Sequence, residues 1–237
     1  MGLVDHWPLF GLRVRTPRLE VRCPDDDLAW RLGELAAAGI HDPSTMPFGF
    51  PWTDAPVAEI PRNTIVYYWR TRAAIEPSAW HLALAILVDG EPVGAGGLIA
   101  DDFAVRRTFE TGSWLGRAFQ RRGLGLEFRH ACLHLGFAGL GAAYATTGAF
   151  HDNAASLGVT AKLPYEPNGE DIHTRRGVPD RMLRFRMSRS QWETVRRDDI
   201  EIAGLEPCLP LLVATDEAKD DSHEAAGGDE PAANPSR

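Results

Sequence analysis

The chain contains only three cysteines, Cys23, Cys132 and Cys208, and they are widely spaced. Such spacing fits neither a disulfide framework nor a CxxC metal site, so we expect a protein of the reducing cytoplasm. The first thirty residues carry Asp5 and several arginines without a sustained apolar core. They therefore do not have the pattern of a secretory signal peptide.

Long hydrophobic runs and an excess of positive charge are also missing. The longest apolar run, Leu82–Val88, is far too short to cross a bilayer. The net charge is −8, and residues 215–237 hold seven acids against Lys219 and Arg237, which leaves −3 for the other 214 residues. This balance argues against a nucleic-acid partner, which normally meets a basic face. It is compatible with a cationic, amine-bearing substrate.

Common catalytic and metal motifs are absent as well. The sequence has neither a nucleophile elbow nor a catalytic triad. Glu127, His130 and His134 have a helical spacing that could chelate a metal. They fall opposite the apolar face of the helix predicted there, so we expect a solvated face and no metal site.

With 237 residues, 44% of them hydrophobic, the chain can bury a substantial core. We expect one domain over residues 1–214. Residues 215–237 are acidic and rich in alanine, glycine and proline. Such a segment cannot bury enough apolar surface to order itself, so we predict a disordered tail.

The order of predicted elements indicates a mixed α/β or α+β layered domain. The clearest signal is the Asp89-Gly90 hairpin turn, and Ser190 and Glu193 have the spacing of a helix capping box. Strands are predicted over residues 12–22, 80–88, 91–99, 108–115, 142–149, 181–187 and 200–213, and helices over residues 25–39, 61–73, 124–139 and 153–162.

Residues 41–56 contain four prolines among large apolar side chains, including Phe48 and Trp52. A regular element is excluded, yet the segment is too apolar for a solvated loop. Two interpretations stay open: the loop folds back onto the core, or Phe48 and Trp52 form one wall of a substrate cleft.

The centre of the chain is Gln120–Gly125, between a predicted strand and a predicted helix. Two glycines let the backbone turn tightly and approach a ligand. The first N–H groups of a helix have no internal partner, so the start of the helix can cradle a phosphate. Arg121 and Arg122 add a salt-sensitive attraction. A plain helix start with turn glycines would give the same pattern.

This arrangement resembles the GNAT superfamily of acyl-CoA N-acyltransferases, and within it the RimJ/RimL type. A Gln/Arg-x-x-Gly-x-Gly/Ala loop precedes a helix and a strand, and Asn153 and Ser156 then open a second helix. The segments 6–10 and 41–53 resemble those of a mycobacterial member regarded as a succinyltransferase. Together these motifs favour a coenzyme A site over a plain helix start.

The resemblance implies a GNAT fold, a central and mostly antiparallel twisted sheet of about seven strands. Helices flank this sheet, which is splayed in the middle to hold acyl-CoA. It also implies cofactor-binding residues: the diphosphate lies on Gln120, Arg121, Arg122, Gly123, Leu124 and Gly125, and the pantetheine arm contacts Trp114, Leu115 and Asn153. From the residues alone, Asn153 could be only a helix N-cap.

Acyl transfer to an amine requires a neutral nucleophile and a proton for the departing thiolate. An amine with a pKa of about 10.4 costs roughly 4 kcal/mol to deprotonate near pH 7.4, whereas an α-amino group near 7.7–8.0 costs well under 1 kcal/mol. The family's frequent strand carboxylate falls at Glu110, which would act as base through water. A solvated strand charge is the alternative role.

The sequence departs from the family pattern at the residue that would protonate the leaving thiolate. Many GNAT enzymes carry a tyrosine seven residues after the asparagine, and here that position is Thr160. Ser156, as in the RimL branch, is then the remaining candidate to hydrogen-bond the thioester sulfur.

We expect acetyl-CoA or succinyl-CoA as co-substrate, acetyl-CoA being the default, and an amine-bearing protein or small molecule as acceptor. A catalytically degenerate coenzyme A sensor or assembly module is the alternative, since the family's tyrosine is missing. The oligomeric state stays open, a homo-oligomer included. Nothing in the sequence indicates a metal, a nucleic acid or a membrane partner.

Overall fold

The computed structural model describes residues 2–213, which form a mixed α/β structure, and the predicted disordered tail 215–237 lies outside these residues. The strands are β1 Arg13–Arg15, β2 Glu20–Arg22, β3 Ala79–Val88, β4 Glu91–Asp101, β5 Thr108–Leu115, β6 Tyr144–Phe150, β7 Glu166–Arg175, β8 Val178–Ser188 and β9 Glu201–Ala203. The helices are α1 Leu3–His6, α2 Asp26–Ala37, α3 Ile60–Ala73, α4 Phe103–Arg106, α5 Leu124–His134, α6 Ala154–Thr160, α7 Arg189–Glu193 and α8 Leu209–Leu212.

All nine strands described lie in one sheet, in the order β7-β8-β6-β5-β4-β3-β2-β1-β9. Every pairing is antiparallel except that of β5 with β6, which is parallel. The mostly antiparallel sheet flanked by helices is as predicted, but it has two strands more than the seven expected.

Two differences account for the strand count, and a third shortens the terminal strand. The predicted strand 12–22 breaks at Thr16, whose backbone N–H donates to the Leu19 carbonyl at 2.9 Å, so β1 and β2 form a hairpin. Strand β7 has no alternating pattern because nearly all its residues are exposed at the edge of the sheet. The predicted terminal strand 200–213 is only three residues long, and helical turns follow it.

The sheet buries both of its faces against helices. On one face α5 packs Leu124, Phe128 and Ala131 against β3 and β4 in the main core. On the other face α2 and α3 cover the strands with Leu28, Leu32, Tyr68 and their neighbours. Asp25 caps α2 by accepting the Leu28 N–H at 2.9 Å, as the acidic start of that helix predicts.

The surface of α5 does not have the solvated face predicted from Glu127, His130 and His134. Glu127 is 5% exposed and His134 is 8% exposed. The interpretation was wrong because α5 is covered on both sides: the β1–β2 turn contacts Glu127, and Trp192 packs edge-on against His134. No cluster of three metal-ligating side chains occurs in residues 2–213.

The capping box of α7 is also shifted from its predicted place. Ser188 and Gln191 form it, the backbone N–H of each donating to the side chain of the other, rather than Ser190 and Glu193.

Within the part of the chain that the structure describes, no helix is long and apolar enough to span a membrane.

A histidine beneath α3 makes stability depend on pH. Burial lowers the pKa of His81 from 6.5 to about 4. Between these two pH values the histidine is therefore protonated in the unfolded chain and neutral in the folded protein. Stability present above pH 6.5 is therefore lost as the pH falls towards 4, by up to about 3 kcal/mol at 1.36 kcal/mol per pKa unit.

We expect urea unfolding of the wild type to show this loss between pH 7 and pH 4. The variant His81→Gln should lose less stability over that interval, whereas replacing the exposed His6 by glutamine should change nothing. An identical pH dependence in wild type and His81→Gln would contradict the assignment.

Candidate functional site

A cleft opens between the two central strands β5 and β6. They pair only over Thr108–Glu110 and Tyr144–Thr146. Beyond those residues β5 continues to Leu115 and β6 to Phe150 with no pairing between them. The cleft therefore widens towards the loop before α5 on one side and the start of α6 on the other.

The loop Gln120–Gly125 lies at the wide end of this cleft, and its residues 120–123 are exposed. The backbone is left-handed at Arg121, with φ of 60°, and at Gly123, with φ of 80°. Gly123 caps α5, since its carbonyl accepts the Glu127 N–H at 3.1 Å. The backbone N–H groups of residues 121–126 have no acceptor among the described residues. Unpaired amides that begin in an exposed loop and continue into a helix start suit an anion.

The side chains of the loop have different surroundings. Gln120 donates through Nε2 to the carbonyls of Ile40 at 2.5 Å and Leu115 at 2.8 Å, so its amide holds the loop. Leu124 is buried in the main core, so its side chain is not available to a ligand. Arg121 and Arg122 are exposed and have no ion pair within residues 2–213. They are free to attract an anion.

Gly125 faces the cleft. A Cβ at this position would lie 3.7 Å from Leu115 Cδ1 and 3.9 Å from Val159 Cγ2. The missing side chain thus leaves a passage between the end of β5 and α6, next to the unpaired amides.

The opposite side of the cleft is formed by α6. Asn153 caps this helix, its Oδ1 accepting the Ser156 N–H at 3.1 Å, and its side-chain NH₂ has no acceptor among the described residues. The Ser156 hydroxyl likewise has no partner within residues 2–213. Thr160 is 3% exposed, and its hydroxyl donates to the Ser156 carbonyl at 3.1 Å. The threonine therefore has its own structural bond, and the serine hydroxyl remains available.

Glu110 lies at the narrow end of the cleft, where the pairing of β5 and β6 stops. Its carboxylate forms an ion pair with Arg184 of β8, with Oε2 2.6 Å from Nη2 and Oε1 3.4 Å from Nη1. Asp171 of β7 lies 3.5 Å from Nε of the same arginine. Neither of the two roles foreseen for Glu110 included this ion pair.

The loop 41–56 folds back onto the core and also reaches the cleft. Met46 is 1% exposed, while Trp52 packs between Phe48, at a ring distance of 5.3 Å, and Trp114 on β5, at 5.8 Å. The first interpretation is therefore correct, and Phe48 and Trp52 also stand beside a cleft strand.

Two arginines of the β7–β8 turn fix that loop. Arg175 donates to the Met46 carbonyl at 2.6 Å and pairs with Asp152 and Asp180. Arg176 binds both carboxylate oxygens of Asp54, at 2.6 and 2.8 Å. The exposed edge hairpin and the aromatic loop thus form one connected border of the cleft.

Sequence reasoning missed an ion pair behind the loop Gln120–Gly125, which we call the anion loop. The carboxylate of Glu127 accepts the Thr16 hydroxyl at 2.6 Å and the Arg18 N–H at 3.2 Å, and it forms an ion pair with the Arg18 guanidinium. Burial alone would raise the pKa of Glu127, but the hydrogen bonds from Thr16 and Arg18 outweigh it and hold the pKa below its usual value. No sequence pattern links residues this far apart.

Known proteins share the fold of this chain. The family model of the acetyltransferase (GNAT) domain matches residues 18–166. A GCN5-related N-acetyltransferase from Brucella melitensis is 16% identical, with a TM-score of 0.63 over 78% of this chain and 81% of that one. A GNAT-family acetyltransferase from Bacillus anthracis is 14% identical, with a TM-score of 0.59 over 75% and 99%.

A third solved structure is RimL, the ribosomal L7/L12 α-N-protein acetyltransferase in complex with coenzyme A. It is 17% identical, with a TM-score of 0.54 over 73% of this chain and 95% of that one. At these identities the structural matches show a common fold.

Proposed function

The chain belongs to the GNAT acetyltransferase family, and from this premise we propose that it moves an acetyl group from acetyl-CoA to a primary amine. The observation that carries the proposal is the cleft between β5 and β6. It runs from six unpaired backbone amides, past a glycine that keeps it open, to the available hydroxyl of Ser156.

The donor fits the groups that border this cleft. The amides after Gln120, together with Arg121 and Arg122, would bind the diphosphate, each hydrogen bond to a charged group contributing roughly 1.5–3 kcal/mol. Beyond that point, Trp114 and Leu115 pair with β4 on one side only, so their other edge is available to the pantetheine amides. The side-chain NH₂ of Asn153, which has no acceptor among the described residues, would support the same arm from α6.

The donor supplies an activated thioester carbonyl. The neutral amine forms a C–N bond at that carbonyl carbon, the C–S bond then breaks, and the amine proton reaches the thiolate directly or through water. Glu110 would accept the proton of the ammonium form through a water molecule before attack. Ser156 would donate a hydrogen bond to the sulfur as negative charge develops on it.

The role of Glu110 is testable with two acceptors of different basicity. In Glu110→Gln we expect kcat/KM to fall about tenfold for a lysine side chain and less than twofold for an α-amino group, of which roughly a fifth to a third is already neutral near pH 7.4. The effect lies below the usual range for a general base because the carboxylate acts through water and is held by Arg184.

Asp171→Asn is the matched control for this test, since Asp171 faces the same guanidinium from β7. In this variant the ratio of kcat/KM for the lysine acceptor to kcat/KM for the α-amino acceptor should equal that of the wild type. An equal loss for both amines in Glu110→Gln would remove Glu110 from proton transfer.

The acceptor would enter beside Phe48, Trp52 and Trp114. Their rings line the border of the cleft and can take an apolar or cationic group. The RimL neighbour acts on the α-amino group of a ribosomal protein. A protein N-terminus is therefore our first acceptor class, ahead of lysine and small-molecule amines.

A succinyl donor is the second candidate, and one observation favours it. A succinyl carboxylate requires a cation, and Arg184 lies at the narrow end of the cleft. Glu110 and Asp171 already face this arginine, so a second anion would compete with them. We therefore place acetyl-CoA first.

A comparison of acetyl-CoA, succinyl-CoA and ATP in thermal unfolding, followed by an assay of coenzyme A release with a panel of amines, tests the proposal. We expect acetyl-CoA to raise the unfolding temperature and ATP to have no effect. Stabilisation without release for any amine would support the sensor alternative, and stabilisation by ATP alone would overturn the proposal.

A further inference from the structure

The turn between β1 and β2 lies directly behind the anion loop and contacts it through one side chain. The guanidinium of Arg18 donates through Nε to Oε2 of Glu127 at 2.5 Å and through Nη1 to the carbonyl of Arg122 at 3.0 Å. A Cβ on Gly123 would lie 3.3 Å from its Nη2. One planar group therefore touches the loop, its capping glycine and the first turn of α5.

The bond to the Arg122 carbonyl fixes the direction of a neighbouring amide. All peptide bonds of the described residues are trans, and in a trans peptide the C=O and the following N–H point in opposite directions. Because the Arg122 carbonyl points back to Arg18, the N–H of Gly123 must point away from Arg18.

Without that bond this peptide unit could rotate. Gly123 adopts positive and negative φ about equally well, so the peptide between residues 122 and 123 has little local resistance to inversion. The inverted peptide would present a carbonyl oxygen, instead of an N–H, to an anion. A charged hydrogen bond would then be replaced by a repulsion.

Glu127 keeps Arg18 in this position. Its carboxylate is 5% exposed and also accepts the Thr16 hydroxyl and the Arg18 N–H, so it is held at three points. A buried carboxylate with a complete set of partners cannot move without leaving one of them unpaired. The guanidinium is therefore anchored at one end while its Nη1 holds the loop at the other.

We propose that Arg18 is a positioning residue for the donor diphosphate: it holds the Arg122 carbonyl behind the loop so that the Gly123 amide faces the ligand. This inference rests on the proposed function. It assigns a role to a residue of the β1–β2 turn, which lies outside the cleft and behind the loop that would bind the donor.

Arg18→Lys is the most informative variant. Lysine keeps a cation beside Glu127, but it lacks the planar fork that reaches two acceptors at fixed angles. We expect the Kd of coenzyme A to rise tenfold or more, because losing one hydrogen bond to a charged group costs roughly 1.5–3 kcal/mol. Pantetheine, which has no diphosphate, should compete with coenzyme A with an inhibition constant within about twofold of wild type.

Two further variants control for the change of an arginine in this hairpin and for an unpaired buried charge. Arg15→Lys changes an exposed arginine of the same hairpin, paired with Glu20 at 3.2 Å, and should leave both constants unchanged. The double variant Arg18→Leu with Glu127→Gln removes both charges together, so no buried charge is left alone. If it folds with a wild-type unfolding temperature, it should show at least the tenfold loss for coenzyme A.

The outcomes are distinguishable. Equal weakening of coenzyme A and pantetheine in Arg18→Lys would show a general structural role and overturn the inference, and so would unchanged binding of both. If the wild type itself bound pantetheine as tightly as coenzyme A, the diphosphate site of the proposed function would fail first.

Discussion

Replacing Gly125 by glutamate is expected to weaken acetyl-CoA binding by about 1000-fold while the protein still folds. A side chain at this position starts in ordinary contact with Leu115 and Val159, at 3.7 and 3.9 Å, so the fold can accept it. It would then fill the passage between β5 and α6 and place a carboxylate beside the unpaired amides. Losing about two hydrogen bonds to a charged group, roughly 4 kcal/mol, corresponds to that factor.

Gly125→Ala is the matched control, because a methyl group meets the same two neighbours without reaching the amides. Calorimetric titration with coenzyme A should give a Kd within about threefold of the wild type for alanine, a change below 1 kcal/mol. Both unliganded variants should unfold near the wild-type temperature. Tight binding by the glutamate variant would mean that the donor does not pass between Leu115 and Val159.

Replacing Ser156 by alanine is expected to lower turnover about 100-fold, the lower end for removing one hydrogen-bond donor to a charge that develops in the transition state, with the Kd of acetyl-CoA nearly unchanged. The hydroxyl has no protein partner within residues 2–213, whereas the backbone N–H of Ser156 is held by Asn153. The substitution therefore leaves the cap of α6 intact. It removes only the group that would stabilise the departing thiolate.

Thr160→Val tests the same question from the neighbouring position. Many family members carry a tyrosine there, but the Thr160 hydroxyl is buried against the Ser156 carbonyl and cannot serve the donor. Single-turnover rates should fall in Ser156→Ala and stay within about threefold of wild type in Thr160→Val. The valine variant loses one neutral hydrogen bond of about 1 kcal/mol, which α6 can tolerate. A raised Kd with full turnover in Ser156→Ala would remove the serine from the chemistry.

The parts of the fold that follow local rules were predictable. The Asp89-Gly90 turn and the alternation around it predicted the β3–β4 hairpin, and strand β5 begins and ends where its sequence indicates. Strand β7 was missed because its residues are exposed and it is formed through pairing with β8. The face of α5 was misjudged because segments distant in the sequence cover it.

The site also contains local features that the sequence predicts and long-range contacts that it does not. The anion loop is a local motif, and its glycine spacing was visible in the sequence. The ion pairs that support the site are not local: Arg18 and Glu127 are 109 residues apart, and Arg184 and Glu110 are 74 apart. Such pairs form only when the sheet brings the strands together, so a single sequence has no pattern from which to predict them.

The central claim is that the amides opening α5 bind the diphosphate of an acyl-CoA. A crystal structure of the protein with coenzyme A tests it most directly. We expect diphosphate oxygens within about 3 Å of the backbone nitrogens of residues 122–126, with the pantetheine arm passing between Leu115 and Asn153. Coenzyme A bound elsewhere, or a diphosphate held only by the side chains of Arg121 and Arg122, would contradict the claim.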